Sequence, residues 1–273
     1  MNNENHSQTF KFLIRVTIFH VLTYFIYGLL ASAIFQYSVL FESPIIRDYY
    51  KQYGTVSNYI GPVIQIIRGL IFGIVLLPFK KTIQESKIGW LYTWALFVGI
   101  GILGTPAAAP SSIEGLIYTK IPLWFHLIGF PEILLQTLTF SLIIHNSISQ
   151  HKIIKNDIAL KLIKAFSIAC FSFIGYTVVS ISFALLSKVK IEESGADVKI
   201  LAQFILPLLI TFIVALLETS KLLLSHLALY CLSVVSIISY QTFVLGSGNW
   251  IYAVAAPILP AIISYILLKN RKA

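Results

Sequence analysis

Apolar residues fall into eight long runs that are separated by short polar segments. A helix needs about 20 mostly apolar residues to cross a bilayer, and most of the runs reach or approach that length. We therefore predict an all-α, polytopic integral membrane bundle of about eight transmembrane helices. The predicted spans are roughly 13–38, 59–79, 89–105, 121–145, 162–187, 200–217, 223–245 and 250–268.

The composition supports a lipid environment. The chain is 57% hydrophobic and 11% charged, whereas soluble domains carry about 25% charged residues. The net charge of +9 comes from short basic clusters between apolar runs, so we expect the lipid bilayer and no nucleic acid as a partner. Cys170 and Cys231 lie in apolar segments, which disfavours a disulfide framework or a zinc site. Frequent Ile, Lys and Asn are typical of an AT-rich bacterial genome.

Lysine and arginine are distributed unevenly between the two faces of the predicted bundle. The face with both termini carries 13 of these residues and the opposite face carries 6, with Arg68 within a span. The positive-inside rule therefore predicts a plasma (inner) membrane protein with both termini cytoplasmic. The polar break "ETSK" at 218–221 is interpreted as a tight turn, although a single kinked helix is the alternative.

The N-terminal segment has one competing interpretation. Lys11, Arg15, the following apolar run and "ASA" at 31–33 resemble a cleavable signal peptide. The run is long, contains His20 and stays apolar beyond that site, so we expect a retained helix. Cleavage would leave seven helices and an external N-terminus.

The chain is predicted to form a single transmembrane domain over residues 1–273, because its loops are too short for a separate domain. Residues 68–81 and 208–221 share an apolar rhythm and a terminal lysine at an offset of 140. This similarity suggests a 4+4 parallel repeat with halves 1–150 and 151–273. Apolar helices also align easily by chance.

Two charged residues stand at mid-membrane in the predicted topology. Arg68 lies nine residues from the outer end of its span and Glu132 lies eleven residues from the outer end of its own span, which at 1.5 Å per residue gives nearly equal depths. A charge at the bilayer centre costs about 2.5–3.5 kcal/mol. We therefore expect Arg68 and Glu132 to form an ion pair, which either binds a ligand or only locks two helices together.

Four further polar residues are candidates for the same site. Gln65 lies one turn before Arg68, and Gln136 lies one turn after Glu132. Glu114 is expected above this cluster, while His126 points in another direction on its helix and fits an interhelical hydrogen bond better. The candidate substrate-binding residues are thus Arg68, Glu132, Gln65, Gln136, Glu114 and His126.

The loop before the fourth span, "GTPAAAPSSIEGLIYTK" at 104–120, is rich in proline and alanine and poor in charge. It is expected to pack on the bundle, with an apolar loop in the headgroup zone as the alternative. Gly69 and Gly73 form a GxxxG spacing, and the glycines at 99, 101 and 104 are also expected to allow close helix packing.

The sequence supports three hypotheses about the function. The first is a small permease or transport-related protein with a mid-membrane Arg/Glu site and an unknown small-molecule or lipid ligand. The alternatives are an intramembrane enzyme acting on a lipid or lipid-linked substrate, with Glu132 or Glu114 as acid or base, and a non-catalytic assembly or immunity factor. The histidines show no paired spacing and no metal or nucleotide motif occurs, so no metal and no cofactor are expected.

Overall fold

The computed structural model describes residues 2–51, 56–187, 198–217 and 222–269. Within these ranges all regular secondary structure is helical. The helices are α1 (Asn2–Ile34), α2 (Tyr37–Leu40), α3 (Pro44–Tyr49), α4 (Val56–Leu76), α5 (Lys80–Glu85), α6 (Gly89–Leu96), α7 (Ile113–Tyr118), α8 (Leu123–Ile148), α9 (Asp157–Leu186), α10 (Val198–Ala202), α11 (Ile205–Leu217), α12 (Leu222–Phe243), α13 (Trp250–Ala255) and α14 (Ile258–Lys269).

Five of the described helical segments are long and apolar enough to cross a membrane: Ser7–Ile34, Leu123–Ile148, Asp157–Leu186, Leu222–Phe243 and Trp250–Lys269. Three shorter apolar stretches of described helix cover Val63–Leu76, which is the C-terminal part of α4, Gly89–Leu103 and Ile205–Leu217. The helical membrane character is therefore supported, and each predicted span has a helical counterpart. The number of eight complete spans stays a prediction.

The chain divides into two compact units. Unit 1 contains Met1–Tyr53 and Ile64–Lys155, and unit 2 contains Gly54–Val63 and Asn156–Ala273. The single-domain organisation and the 4+4 repeat both stay predictions. The polar break at 218–221 lies outside the described residues, so the alternatives of a turn and a kinked helix also stay open.

Unit 1 is organised around α8, which packs against both α1 and α6. Its larger core cluster joins α1 to α8, and α4 and α5 each add one buried residue to it. The cluster consists of Phe12, Val16, Leu76, Ile83, Phe140 and Ile144. A second, smaller cluster joins α3 to the start of α8 through Ile46, Ile121 and Phe125. This second cluster positions the candidate site described below.

Glycines bring α1 and α4 close together, as the GxxxG spacing predicts. A Cβ at Gly69 would lie 2.8 Å from the Thr17 Cα, and a Cβ at Gly73 would lie 2.9 Å from a Leu13 methyl carbon. Small residues drive helix association in lipid because they allow backbone contact. The corresponding prediction for Gly99 and Gly101 is wrong, since a Cβ at either would meet nothing within 4 Å.

The chain after α6 continues as a π-helical segment, Phe97–Leu103. Its end is marked by a hydrogen bond of 2.8 Å that the Gly104 amide donates to the Gly99 carbonyl, five residues earlier. The glycines of this segment therefore accompany a widened helical turn instead of a tight interhelical contact.

Side-chain caps define where several helices begin. The Ser112 hydroxyl accepts the Gly115 amide at the start of α7, Asn156 accepts two amides at the start of α9, and Asn249 accepts the Tyr252 amide at the start of α13. Each cap satisfies an amide that has no partner inside the helix.

In unit 2, α9 packs against α11 and α14, and α12 packs against α11, α13 and α14. Most of the α9 hydroxyls bond back to the preceding turn of their own helix, as is common in apolar helices. The bonds are donated by Ser167, Thr177, Ser180 and Ser182 to the carbonyls of Ile163, Phe173, Tyr176 and Val178. The candidate residues derived from the sequence all lie in unit 1.

Candidate functional site

Arg68 does not form the predicted ion pair with Glu132. Among the described residues the salt bridges are Arg47–Asp48 at 3.9 Å and Lys81–Glu85 at 4.0 Å. The Arg68 side chain is exposed, and its guanidinium carbon lies 5.4 Å from the centroid of the Phe72 ring. The prediction that Arg68 pairs with Glu132 is therefore wrong.

Helix geometry explains why equal depth did not produce a contact. The buried positions of α4 are Gln65, Gly69, Gly73 and Leu76, which recur at the spacing of one helical face. Arg68 is rotated by about 60° from Gln65 and by about 100° from Gly69, at 100° per residue. Depth fixes a position along the helix axis, whereas pairing also requires the correct direction around it.

Gln65 has a partner on α1 instead. The His20 Nε2 atom donates a hydrogen bond of 3.1 Å to Gln65 Oε1, and both side chains are buried. The Phe72 ring packs edge-on against His20, with 4.6 Å between ring centroids. Gln65 therefore connects α1 to α4 and does not supply a hydrogen bond to Arg68.

Glu132 is held by a tyrosine from the segment that follows α1. The Tyr37 hydroxyl donates a hydrogen bond to Glu132 Oε2. Tyr37 follows Gln36, whose left-handed backbone (φ 48°) ends the α1 segment and turns the chain. A Cβ at Gly28 would lie 3.9 Å from Glu132 Oε1, so α1 passes close to the carboxyl group.

A cavity of about 150 Å³ lies beside Glu132 within unit 1. Its walls come from α2, the end of α3, the loop before α7 and the first half of α8. The lining residues are Tyr37, Leu40, Phe41, Tyr50, Pro110, Ser111, Phe125, Ile128, Gly129, Glu132 and Ile133. Among these described residues, Glu132 alone carries a charge.

Aromatic rings form much of the cavity wall, and they pack against one another. Phe41 lies at the centre of the group, with ring centroids 5.3 Å from Tyr37, 5.2 Å from Tyr50 and 6.2 Å from Phe125. All three of these pairs are edge-to-face, an arrangement that aromatic quadrupoles favour. Burial raises the pKa of Tyr50 to about 12, so its hydroxyl stays neutral near pH 7.

His126 holds the loop before α7 against α8. Its Nδ1 atom accepts the Ser111 amide at 2.9 Å, and the Ser111 hydroxyl donates to the His126 carbonyl at 2.8 Å. Both residues are almost fully buried, and Ser111 adopts a left-handed conformation with φ 66°. Since Nδ1 accepts, Nε2 carries the proton in the neutral ring, and Nε2 has no partner among the described atoms.

The predicted packing of the loop over residues 104–120 is confirmed only for its middle, since most residues at its two ends are exposed. Ser111, Ser112 and Gly115 are buried, and the Tyr49 hydroxyl donates to the Ala108 carbonyl at 3.1 Å. A Cβ at Gly115 would lie 1.9 Å from the Ala109 carbonyl oxygen, which only glycine tolerates. The loop therefore forms one wall of the cavity.

Glu114 and Gln136 do not line the cavity. Glu114 is half-buried in the first turn of α7, and Gln136 is half-buried one turn beyond Glu132. Of the six residues that the sequence singled out, the structure thus brings Glu132 to the cavity and His126 to its supporting loop. The other four candidates lie elsewhere in unit 1: Arg68, Gln65, Gln136 and Glu114.

Sequence reasoning missed the aromatic residues and Ser111. Tyr37, Phe41 and Tyr50 lie in a short connecting segment without helical periodicity, so no pattern related them to Glu132. The available signal was compositional: "YSVLF" and "RDYY" place four aromatic rings within residues 37–50. Such a density beside a membrane span resembles an ordinary interfacial belt.

Two further histidines, His145 and His226, have structural partners. His145 Nδ1 lies 3.1 Å from the Ile83 carbonyl and its Nε2 lies 3.0 Å from the His151 carbonyl, while His226 contacts Ser264 at 3.1 Å. Across the described ranges, no three His, Cys, Asp or Glu side chains converge in a way that could hold a metal ion.

Comparison with known proteins adds no assignment. No protein-family model, curated protein sequence or solved structure matches this chain.

Proposed function

We propose that this chain is a small permease or transport-related protein whose ligand site is the cavity beside Glu132. The observation that carries the proposal is a single carboxyl group at an aromatic-walled cavity, held in place by Tyr37. Ionisable residues inside a membrane are costly and most often functional. A mostly apolar cavity with few converging polar groups is also the usual form of a small-molecule site.

The charge distribution supports an orientation for this site. With both termini in the cytoplasm of a bacterial cell, the α2–α3 segment and the loop before α7 face the outside. Both segments contribute walls to the cavity. The proposal therefore places the ligand entrance on the external side of the plasma membrane.

A binding role receives more support than the enzymatic alternative. The enzyme hypothesis needs Glu132 or Glu114 as acid or base and Arg68 on an anionic headgroup. Glu114 lines no part of the cavity, and Arg68 lies on α4, which contributes no residue to its walls. A purely structural role for Arg68 and Glu132 loses its main support as well, because the two side chains do not pair.

The proposal predicts that ligand stabilisation depends on Glu132. The full chain, purified in an uncharged detergent, is screened by thermal unfolding against small amines, sugars, carboxylates and phosphorylated headgroup analogues. At a concentration 100-fold above Kd, a ligand that binds only the folded state adds about 2.7 kcal/mol of stability. We expect at least one chemical class to raise Tm of the wild type, and Glu132→Gln to abolish that increase.

Glu85→Gln provides the matched control. It is the same substitution in the same unit, at an exposed residue whose ion pair with Lys81 is on the surface and contributes little. The control variant should keep the ligand-dependent increase in Tm. The proposal is contradicted if no class raises Tm, or if every increase is equal in the Glu132→Gln protein.

A further inference from the structure

We infer that the cavity beside Glu132 takes a small organic cation of the amine or quaternary ammonium class. This inference rests on the proposed function, because it names the ligand class of the same site. Three independent features of the described residues support it: the charge at the cavity, the aromatic walls and the volume.

Glu132 is the acidic group of the cavity, and it has no ion-pair partner among the described residues. Glu132 Oε2 accepts the Tyr37 hydroxyl, whereas Oε1 accepts no hydrogen bond from the described residues. Arg68, the basic residue predicted to neutralise it, makes no ion pair with it. A cationic ligand beside Glu132 would itself favour the ionised carboxylate and supply its counter-charge.

The aromatic walls suit a cation that carries methyl or methylene groups. Four aromatic side chains line the cavity: Tyr37, Phe41, Tyr50 and Phe125. Their rings pack edge-to-face or tilted against one another, so the planes of the rings have different orientations around the cavity. The negative face of an aromatic ring attracts ammonium groups within about 6 Å of its centroid. Cages of such rings recognise quaternary ammonium ligands, which cannot donate hydrogen bonds.

The volume limits the size of the ligand. A cavity of about 150 Å³ is large enough to hold benzene in an apolar protein core, so the cavity beside Glu132 suits a molecule of roughly five to eight heavy atoms. Tetramethylammonium and choline fall within this range. The same lining disfavours anions, because Glu132 is its charged member and no basic side chain belongs to it.

The test compares a cation with an uncharged molecule of the same shape. Binding of choline and of 3,3-dimethyl-1-butanol, its neutral isostere, is measured by isothermal titration to the full chain in an uncharged detergent. Tetramethylammonium and acetate serve as further probes. We expect choline to bind at least about tenfold more tightly than the isostere, and acetate not to bind.

Variants then assign the binding to the cavity. Glu132→Gln should weaken choline binding by about tenfold or more, and Phe41→Leu by about threefold or more, while Glu85→Gln should bind as the wild type does. The comparison of choline with its isostere uses the unaltered chain, so it remains decisive if a variant fails to fold.

The outcomes separate this inference from the proposed function. If the neutral isostere or acetate binds as tightly as choline and its binding depends on Glu132, the cation inference is overturned and the site stands. If choline binds equally to the wild type and to Glu132→Gln, the inference is also overturned. If Glu132→Gln changes the binding of no probe of any chemical class, the inference and the proposed function fail together.

Discussion

The hydrogen bond between Tyr37 and Glu132 is the contact that defines the site at the scale of single residues. It joins the turn after α1 to the middle of α8, across 95 residues of sequence. A hydrogen bond to a charged group contributes about 1.5–3 kcal/mol. Its loss would leave the Glu132 carboxyl group without a donor at a half-buried position.

Double-mutant cycles measure which residue is the true partner of Glu132. Tyr37→Phe combined with Glu132→Leu should show a coupling free energy of about 1–3 kcal/mol, because either single change removes the same bond. Arg68→Leu combined with Glu132→Gln should show less than about 0.5 kcal/mol, because the two residues share no contact. Reversible unfolding of the four proteins of each cycle in detergent measures both values, and a larger coupling for the Arg68 cycle would refute the geometry.

The contacts of Glu132 also show what the sequence could not predict. Hydropathy and helix rise placed Glu132 in the interior of an apolar helix, and α8 is such a helix, long enough to cross a membrane. They could not identify Tyr37, since its approach depends on the left-handed conformation of Gln36 (φ 48°). The neighbour of a buried charge is set by tertiary packing and by turn geometry, neither of which is periodic.

At the scale of helices, the crossing of α1 and α4 depends on backbone contact at Gly69. The nearest atoms to a Cβ there are the Thr17 Cα at 2.8 Å and the Thr17 carbonyl oxygen at 3.1 Å. These are backbone atoms, so they can move only if the helices separate. The Leu13 methyl carbon near Gly73 can instead rotate away.

Alanine substitutions along α4 test this crossing. Gly69→Ala should lower the free energy of unfolding by about 1–3 kcal/mol, because the added methyl group forces the helices apart. Gly61→Ala, on the same helix with nothing within 4 Å of the added atom, should be neutral or stabilise by up to about 1 kcal/mol. Thermal unfolding of both variants measures the difference, and equal effects at the two positions would contradict the packing of α1 on α4.

The two glycine-rich helices show when a short motif predicts packing. The GxxxG spacing of α4 aligned two glycines on its buried face, and the predicted close approach is confirmed. Gly99 and Gly101 are two residues apart and lie in a π-helical segment, so they do not form a continuous contact face. The spacing of the glycines therefore predicted close helix packing, whereas the number of glycines did not.

On the scale of the whole molecule, hydropathy predicted the helical membrane character and the position of every apolar helix. It did not predict the π-helical segment Phe97–Leu103 that follows α6, because a widened helical turn leaves no signal in hydropathy. It also did not predict the cavity, whose walls are drawn from α2, α3, a loop and α8. Segments far apart in sequence create this site, and no local pattern describes their meeting.

The central claim is that a ligand site beside Glu132 opens to the outside within a membrane-spanning unit. Cysteine accessibility tests it in intact cells, in a background with Cys170→Ser and Cys231→Ser. Ile133→Cys lies on the cavity wall, and Leu135→Cys lies two residues further along α8 on its exposed apolar surface. A membrane-impermeant, cationic trimethylammonium-ethyl methanethiosulfonate reagent is added from outside.

The account predicts that Ile133→Cys reacts at least about tenfold faster than Leu135→Cys, because water and cations reach the cavity while lipid shields the exposed face. Adding Glu132→Gln should remove most of the advantage of the cationic reagent over an anionic one. Equal reaction rates at residues 133 and 135, or no reaction at residue 133 from the outside, would contradict the account.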